Sequence, residues 1–314
     1  MKSKFKVKNY HRFIYFIIFI VLIILGSAIL FYYYLNNNNL NKTELSSTNI
    51  INSSINENQI QDVKKEENNN KEKNKRKQRE SKAIPLVAGE KSSNSLPVLM
   101  YHFFYNDAEG ETAPNSNYMP ISSFEEQLKY LSENDYYYPT WEEVADFVDG
   151  KIDLPDKSVV LTMDDGDESV FEFALPLLEK YNVIATAFII TNEADEKELE
   201  KYSNSILDLQ SHTDNMHRTG GNYGHGGIFP ALPIEESTAD LKTSIKKLAG
   251  NSGALAYPFG DCNENTKKAA KDAGFKVAFT TVNDKVKPGM DKYELPRLRM
   301  FTDIKLAGFK YYVQ

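Results

Sequence analysis

Cysteine is almost missing from this chain: Cys262 is the sole thiol among 314 residues. No intrachain disulfide can form, so a domain of this chain working outside a cell must be held by its core. A small, partly buried side chain is the expected role for Cys262. Histidine is scarce too, with five in the chain. Charged residues are absent from positions 13 to 35, FIYFIIFIVLIILGSAILFYYYL. That run is long enough to cross about 30 Å of hydrocarbon as a helix. Lys2, Lys4, Lys6, Lys8 and Arg12 precede it, and Lys42 is the first cation after it. The asymmetry puts the N-terminus inside and the bulk of the chain outside. GSA at 26 to 28 lies within the run, where cleavage would leave an apolar stub, so an uncleaved anchor is favoured over a signal peptide.

Aromatic residues and apolar periodicity are lacking from residues 36 to 92, which are dominated by Asn, Ser, Lys and Glu. Such a stretch cannot bury a core and reads as a disordered polar linker. The expected organisation is a cytoplasmic N-terminus at 1–12, a transmembrane anchor at 13–35, the linker at 36–92 and one extracellular domain at 93–314. Cations are in deficit after residue 95, with 21 Lys and Arg against 36 Asp and Glu. That excess of acid argues against a nucleic-acid partner. No internal repeat is present, and nothing in the sequence fixes an oligomeric state.

What the domain does contain is an alternation of short apolar runs with amphipathic segments. VLMYHFFY (98–105), SVVLTM (158–163), VIATAFIIT (183–191), ILDLQSH (206–212), GALAYP (253–258) and KVAFTT (276–281) read as strands. Helices are expected at SFEEQLKYLSEN with a Ser123/Glu126 capping box, and at WEEVADFVDG with a Thr140/Glu143 box. Further helices are expected at ESVFEFALPLLEKYN, where Pro176 kinks or restarts the helix, near 234–249, and at 263–273 closed by Gly274. This is an α/β pattern with parallel strands, which a barrel or an open sheet would satisfy equally.

Three stretches at predicted strand ends carry chemistry. Asp164 and Asp165 follow the strand in LTMDDGDES; tandem carboxylates repel unless they share a cation or a proton, although an Asp-Gly turn capping the next helix is the plain alternative. His212 and His217 stand five apart in HTDNMH, a spacing that needs a turn to bring both to one metal ion. Two exposed polar residues are the alternative there. In AYPFG, Pro258 and Gly260 fix a turn that can aim a backbone N–H into a pocket. His102, inside VLMYHFFY, reads on its own as a core histidine bonded to a carbonyl.

Together these stretches resemble the polysaccharide deacetylases of carbohydrate esterase family 4, the NodB-homology proteins. TMDDG is similar to that family's T-F-D-D-G motif, HTDNMH to its histidine motif and AYPFG to its R-x-P-x-G motif. The resemblance implies that Asp164 is the general base and that Asp165, His212 and His217 hold a divalent metal ion, zinc by preference. It also implies that the Tyr257 N–H steadies the oxyanion. Three departures stand out: the histidines are i, i+5, Ala256 replaces the arginine that contacts the base, and no late L-x-H-D motif follows His225. The poly-β-1,6-N-acetylglucosamine deacetylase branch of the family has the same spacing and A-Y-P-x-G. Its barrel is circularly permuted, with the acid-bearing strand moved to the front. PVLMYHFFY resembles that strand, which makes His102 the expected catalytic acid.

The resemblance therefore implies a distorted, incomplete (β/α) barrel of the NodB-homology type, circularly permuted. The implied activity is metal-dependent N-deacetylation of N-acetylglucosamine residues in an extracellular polysaccharide, releasing acetate. A peptidoglycan deacetylase, an O-acetyl esterase and a non-catalytic glycan-binding protein are the rival readings. Thr213 is expected to shape the turn between the histidines and His225 to be an ordinary loop residue. Asp167, Arg297 and Arg299 could line the site, but helix capping and surface pairing explain them as easily; Trp141 and Tyr136 to Tyr138 could stack on sugars, with core and rim packing as the default.

Overall fold

The computed structural model describes residues 81–86 and 94–314. The expected anchor at 13–35, the segment before it and the linker as far as residue 80 lie outside the described residues. Among the described residues no helix is long and apolar enough to cross a membrane.

In chain order the strands are β1 (Ile84–Pro85), β2 (Val98–Tyr101), β3 (Phe103–Tyr105), β4 (Tyr118–Pro120), β5 (Ile152–Asp153), β6 (Val160–Met163), β7 (Ala185–Ile189), β8 (Leu207–Ser211), β9 (Ala254–Ala256), β10 (Val277–Phe279) and β11 (Leu298–Arg299). The α-helices are α1 (Ile121–Glu133), α2 (Trp141–Val148), α3 (Leu175–Tyr181), α4 (Glu196–Tyr202), α5 (Ile234–Lys247), α6 (Glu264–Ala273) and α7 (Leu306–Val313). Seven strands form one parallel sheet in the order β10-β9-β8-β7-β6-β2-β11. Strands β2, β6 and β7 are buried along their length, which is why they read as largely apolar runs; β8 is as buried but carries Asp208, Gln210 and Ser211.

Alternate residues serve two cores. Leu99, Tyr101, Leu161, Met163, Ala185, Ala187 and Leu209 pack under α1, α3 and α7 against Phe124, Leu128, Leu178 and Phe309. Val98, Val160, Phe188, Ala254, Ala256, Val277 and Phe279 point the other way, onto Trp141, Val144 and Phe147 of α2. Leu255 and Ala278 are covered by Leu241 of α5 and Ala269 and Ala270 of α6.

The two edges of the sheet are joined by one stretch of chain. Leu295 exchanges bonds with β10, its N–H going to Ala278 O at 2.9 Å and its carbonyl accepting from Thr280 N at 2.8 Å. Arg297 N–H reaches Val282 O at 2.9 Å, and the next two residues pair with Leu99 and Met100 of β2. The sheet is thus an α/β half-barrel, drawn together at residues 295–299.

Two expectations are corrected, while the helix through Pro176 restarts as expected. The Ser123/Glu126 box does not form, because α1 starts earlier, after Pro120, and has no side-chain cap of its own. Asp107 serves that end instead, accepting the Ser122 N–H at 3.1 Å. The Thr140/Glu143 box forms as expected. The helix containing Pro176 opens with a π-turn, Val170–Ala174, in which the Leu175 N–H reaches back to Val170 O. Residues 81–86, assigned to the linker, instead join the domain: β1 pairs antiparallel with β5, and Lys82 N–H bonds Tyr137 Oη at 3.3 Å.

Trp141 holds the interior side of this arrangement. It packs on Phe279 and Phe188, with ring centroids 5.6 and 6.3 Å away, and its indole N–H donates to Asp208 at 3.0 Å. Trp141→Ala is expected to lower unfolding stability by about 3–5 kcal/mol. Urea unfolding checks it, and a midpoint equal to the wild type would show that α2 is not part of the core.

Candidate active site

Parallel strands bring their C-terminal ends to one side, where βα loops gather functional side chains in barrels of this kind. His102 follows β2, Asp164 and Asp165 follow β6, His212 follows β8 and Tyr257 follows β9. Four of the seven strands therefore deliver the candidate residues to the same end of the sheet.

Asp165 Oδ1 lies 3.4 Å from His212 Nε2 and 3.4 Å from His217 Nε2. The three candidate ligand atoms all fall within 4.8 Å of one another. Donors held about 2.0–2.1 Å from a tetrahedral zinc ion stand about 3.3–3.4 Å apart, so the carboxylate-to-imidazole spacings fit such an ion. The His212 Nδ1 atom is 2.8 Å from Ala256 O, which assigns the proton to Nδ1 and leaves the Nε2 lone pair for the cluster. Burial alone would lower the His212 pKa; Asp165 and Asp164 outweigh it and raise it.

The five-residue spacing works because the chain between the histidines is a turn. Thr213 has φ 75°, and its hydroxyl accepts the Met216 N–H at 3.2 Å. The turn returns His217 so that the two imidazole centroids are 4.8 Å apart, with the Phe259 ring 4.6 Å from that of His217. Asp165 (φ 74°) and Phe259 (φ 60°) are also left-handed. Such conformations cost about 1–3 kcal/mol each in non-glycine residues and concentrate at functional sites.

Asp164 is 2 % exposed, and burial pushes its carboxyl pKa upward. The guanidinium of Arg297, wholly buried, overturns that and holds the carboxyl well below the usual range. Nη1 and Nη2 donate to Oδ1 and Oδ2, both at 2.7 Å. Nη1 also donates to Thr162 Oγ1 at 3.1 Å, and Nε to Thr280 O at 3.1 Å. The sequence marks Arg297 as a residue that could line the site but explains it as easily by surface pairing; the structure makes it the cationic partner of Asp164 that Ala256 does not supply. Arg299 is exposed and pairs with Asn117.

His102 sits in the break between β2 and β3, half-buried, with its Nδ1 buried and without a partner. Burial lowers its pKa, against the upward pull of Asp164 and Asp165. The core-histidine alternative, with a ring nitrogen on a carbonyl, is not what is found at Nδ1.

Tyr257 requires a correction. Its N–H donates to Phe279 O at 2.9 Å, as part of the β9–β10 ladder, and is not turned towards the cluster. Its side chain is fully buried, with the hydroxyl on Tyr293 O at 2.9 Å. The residue anchors the strand end rather than offering an oxyanion donor. His225 stands apart from the cluster, paired with Asp261 at 3.0 Å. Cys262 is half-buried, its pKa pushed up to about 11 by burial. Asp167 accepts the Ser169 N–H at 2.9 Å ahead of the π-turn.

A family model described as polysaccharide deacetylase matches residues 151–278. The poly-beta-1,6-N-acetyl-D-glucosamine N-deacetylase of Staphylococcus aureus (strain MRSA252) is 31% identical over 238 residues, 67% of this chain and 80% of that protein. The Staphylococcus epidermidis protein of the same name is 31% identical over 196 residues, 57% of this chain and 67% of its own. Two solved structures share the fold. The Streptococcus pyogenes deacetylase PplD has a TM-score of 0.61 at 24% identity and covers 74% of this chain and 100% of its own. IcaB from Ammonifex degensii has 0.57 at 22%, covering 71% and 97%.

Removing the guanidinium would leave a buried carboxylate without its countercharge. Arg297→Met is expected to cost about 3–5 kcal/mol at neutral pH. The sign with pH follows. The wild-type Asp164 carboxyl lies below its unfolded value of about 3.9, so its contribution is present above that pH and lost only on acidification. In the variant burial raises the carboxyl, and stability falls as pH rises. Urea midpoints between pH 5 and 8 check it; parallel profiles for the two proteins would contradict the pairing.

Proposed function

The chain belongs to the polysaccharide deacetylase family and hydrolyses N-acetyl amide bonds, and from that premise we propose that it deacetylates an exported poly-β-1,6-N-acetylglucosamine, releasing acetate. One observation carries this reading: a two-histidine, one-carboxylate cluster, an ionised buried carboxylate and an unpartnered histidine nitrogen meet at the same end of the sheet. The choice of glycan is supported by the staphylococcal relative, 80% of whose length is covered, and by the i, i+5 histidines and Ala256-Tyr257. The family match begins after β2 and ends before β11, strands that are neighbours in the sheet. That arrangement supports a permuted barrel whose acid-bearing strand comes first.

Asp165, His212 and His217 would hold the cation, zinc by preference. When bound, a divalent ion supplies Lewis-acid polarisation of the acetamide carbonyl and makes the attacking water more acidic. Asp164 accepts that water's proton; Arg297 occupies one lone pair on each oxygen and keeps the group ionised, and the remaining lone pairs are available. His102 donates a proton to the sugar nitrogen as the C–N bond breaks, because an amine anion cannot leave unaided. With its pKa lowered by burial, His102 is neutral at rest and must gain a proton before the amine departs. The products are acetate and a glucosamine unit that makes the polymer more cationic. We read residues 13–35 as a single-pass anchor holding the domain outside the cell, supported by the uncharged run and the cations before it.

The test is acetate release from defined glycans by the purified protein. β-1,6-linked N-acetylglucosamine oligomers should be turned over, and peptidoglycan fragments and O-acetylated sugars poorly or not at all. Preference for peptidoglycan would replace the proposed substrate, and no acetate from any of them would leave a binding protein. Asp164→Asn should reduce kcat at least ~10³-fold, within the range assigned to general-base groups. His102→Gln should lower kcat about 10²-fold or more. Both variants should keep the zinc content of the wild type; loss of zinc from His102→Gln would make that residue a ligand instead.

A further inference from the structure

The turn between His212 and His217 is gripped from α5, a helix that contributes nothing to the cluster itself. Asp240 of α5 accepts the N–H of Asp214 on Oδ1 at 2.8 Å and the N–H of Asn215 on Oδ2 at 2.9 Å. Two helical turns further on, Lys247 donates to Asp214 Oδ1 at 2.7 Å and to Thr191 O at 3.2 Å. The Thr191 hydroxyl donates to the same Asp214 oxygen at 2.7 Å. The turn is neither helix nor strand and contains a left-handed Thr213; its Thr213 and Asp214 carbonyls accept from the N–H groups of Thr191 at 3.1 Å and Asn192 at 3.0 Å, while the N–H groups of Asp214 and Asn215 are left to Asp240. Yet it must return His217 Nε2 to 3.4 Å from Asp165. One carboxylate taking two successive N–H groups fixes the peptide planes midway between the two histidines, where an error would be carried to both rings.

We propose that Asp240 is a positioning residue for the cation site, its grip on Asp214 and Asn215 setting the separation of His212 and His217 and with it the affinity for a divalent ion. The proposal rests on Asp165, His212 and His217 being that site. Asp240 lies in the middle of a fourteen-residue helix, where it caps nothing. Its bonds outside α5 are to the turn, so a purely structural role and a positioning role make different predictions.

The experiment is a zinc titration of the full-length chain in detergent, in competition with a chromophoric chelator, beside urea unfolding of the metal-free protein. Asp240→Asn keeps the shape but offers one acceptor and turns an amide N–H₂ towards the second backbone N–H. Zinc affinity is expected to fall about 10–100-fold, the range for groups that orient ligands. The metal-free urea midpoint should stay close to wild type, and most of kcat should return at saturating zinc. Lys247→Met leaves both Asp240 bonds in place and should lose clearly less affinity than Asp240→Asn. If Asp240→Asn does not fold, Asp240→Ser, with one short acceptor, must show the same loss. Unchanged affinity in a folded Asp240 variant overturns the proposal, as does a loss matched by an equal fall in metal-free stability. A wild-type chain that takes up no zinc overturns the cation site as well, which separates the two failures.

Discussion

A guanidinium with no exposed surface, forked onto a carboxylate with almost none, is what the upper end of the sheet is built around. Burying two charges costs several kcal/mol per ion in desolvation, and the pair persists only where geometry and extra hydrogen bonds compensate. Here Arg297 meets both oxygens of Asp164, the hydroxyl of Thr162 and the carbonyl of Thr280. Those partners come from β6 and from the end of β10, while Arg297 itself precedes β11. The segment that draws the two edges of the sheet together, residues 295–299, thus also carries the guanidinium that keeps Asp164 ionised.

Around that pair the loops are strained in a consistent way. Asp165, Thr213 and Phe259 adopt left-handed conformations within the three stretches that resemble family motifs. Two glycines make adjoining turns feasible: a Cβ on Gly166 would stand 2.9 Å from Ile189 Cδ1, and one on Gly260 would stand 2.2 Å from Thr281 Oγ1. The chain leaves each strand by turning sharply, which aims Asp165 and His217 at a common point. Sheet, turn and helix α5 each remove freedom from the same few side chains.

Much of this was legible in the sequence for physical reasons. Strands buried on both faces leave unbroken apolar runs, and Asp164, Asp165, His212 and His217 announce themselves because carboxylates and imidazoles seldom cluster at strand ends without cause. The Thr140/Glu143 cap was readable because its partners are three residues apart. The failures have a common origin in long-range geometry. Asp107 replaces the expected cap of α1 from fifteen residues away. Arg297 reaches Asp164 across 133 positions, and a charged residue near the C-terminus reads as surface unless the closing strand is known. Tyr257 was misjudged because its N–H is taken by β10, a pairing that depends on sheet order.

The pairing also constrains the chemistry. A carboxylate held far below its usual pKa is always ionised, but it is also a feeble base, since the interaction that stabilises its charge weakens its hold on a proton. As the proposed base, Asp164 would therefore deprotonate only a water that something else has made acidic. Among the described residues the group suited to that task is the Asp165–His212–His217 cluster, whose donor spacing matches a tetrahedral ion. His102 completes the logic from the other side. Half-buried, with Nδ1 unpartnered and a pKa that burial lowers, it holds a proton weakly and so gives one up readily. A weak base, a cluster spaced for a cation and a histidine that yields its proton readily are the set on which the proposed reaction rests, each supplying what the other two lack.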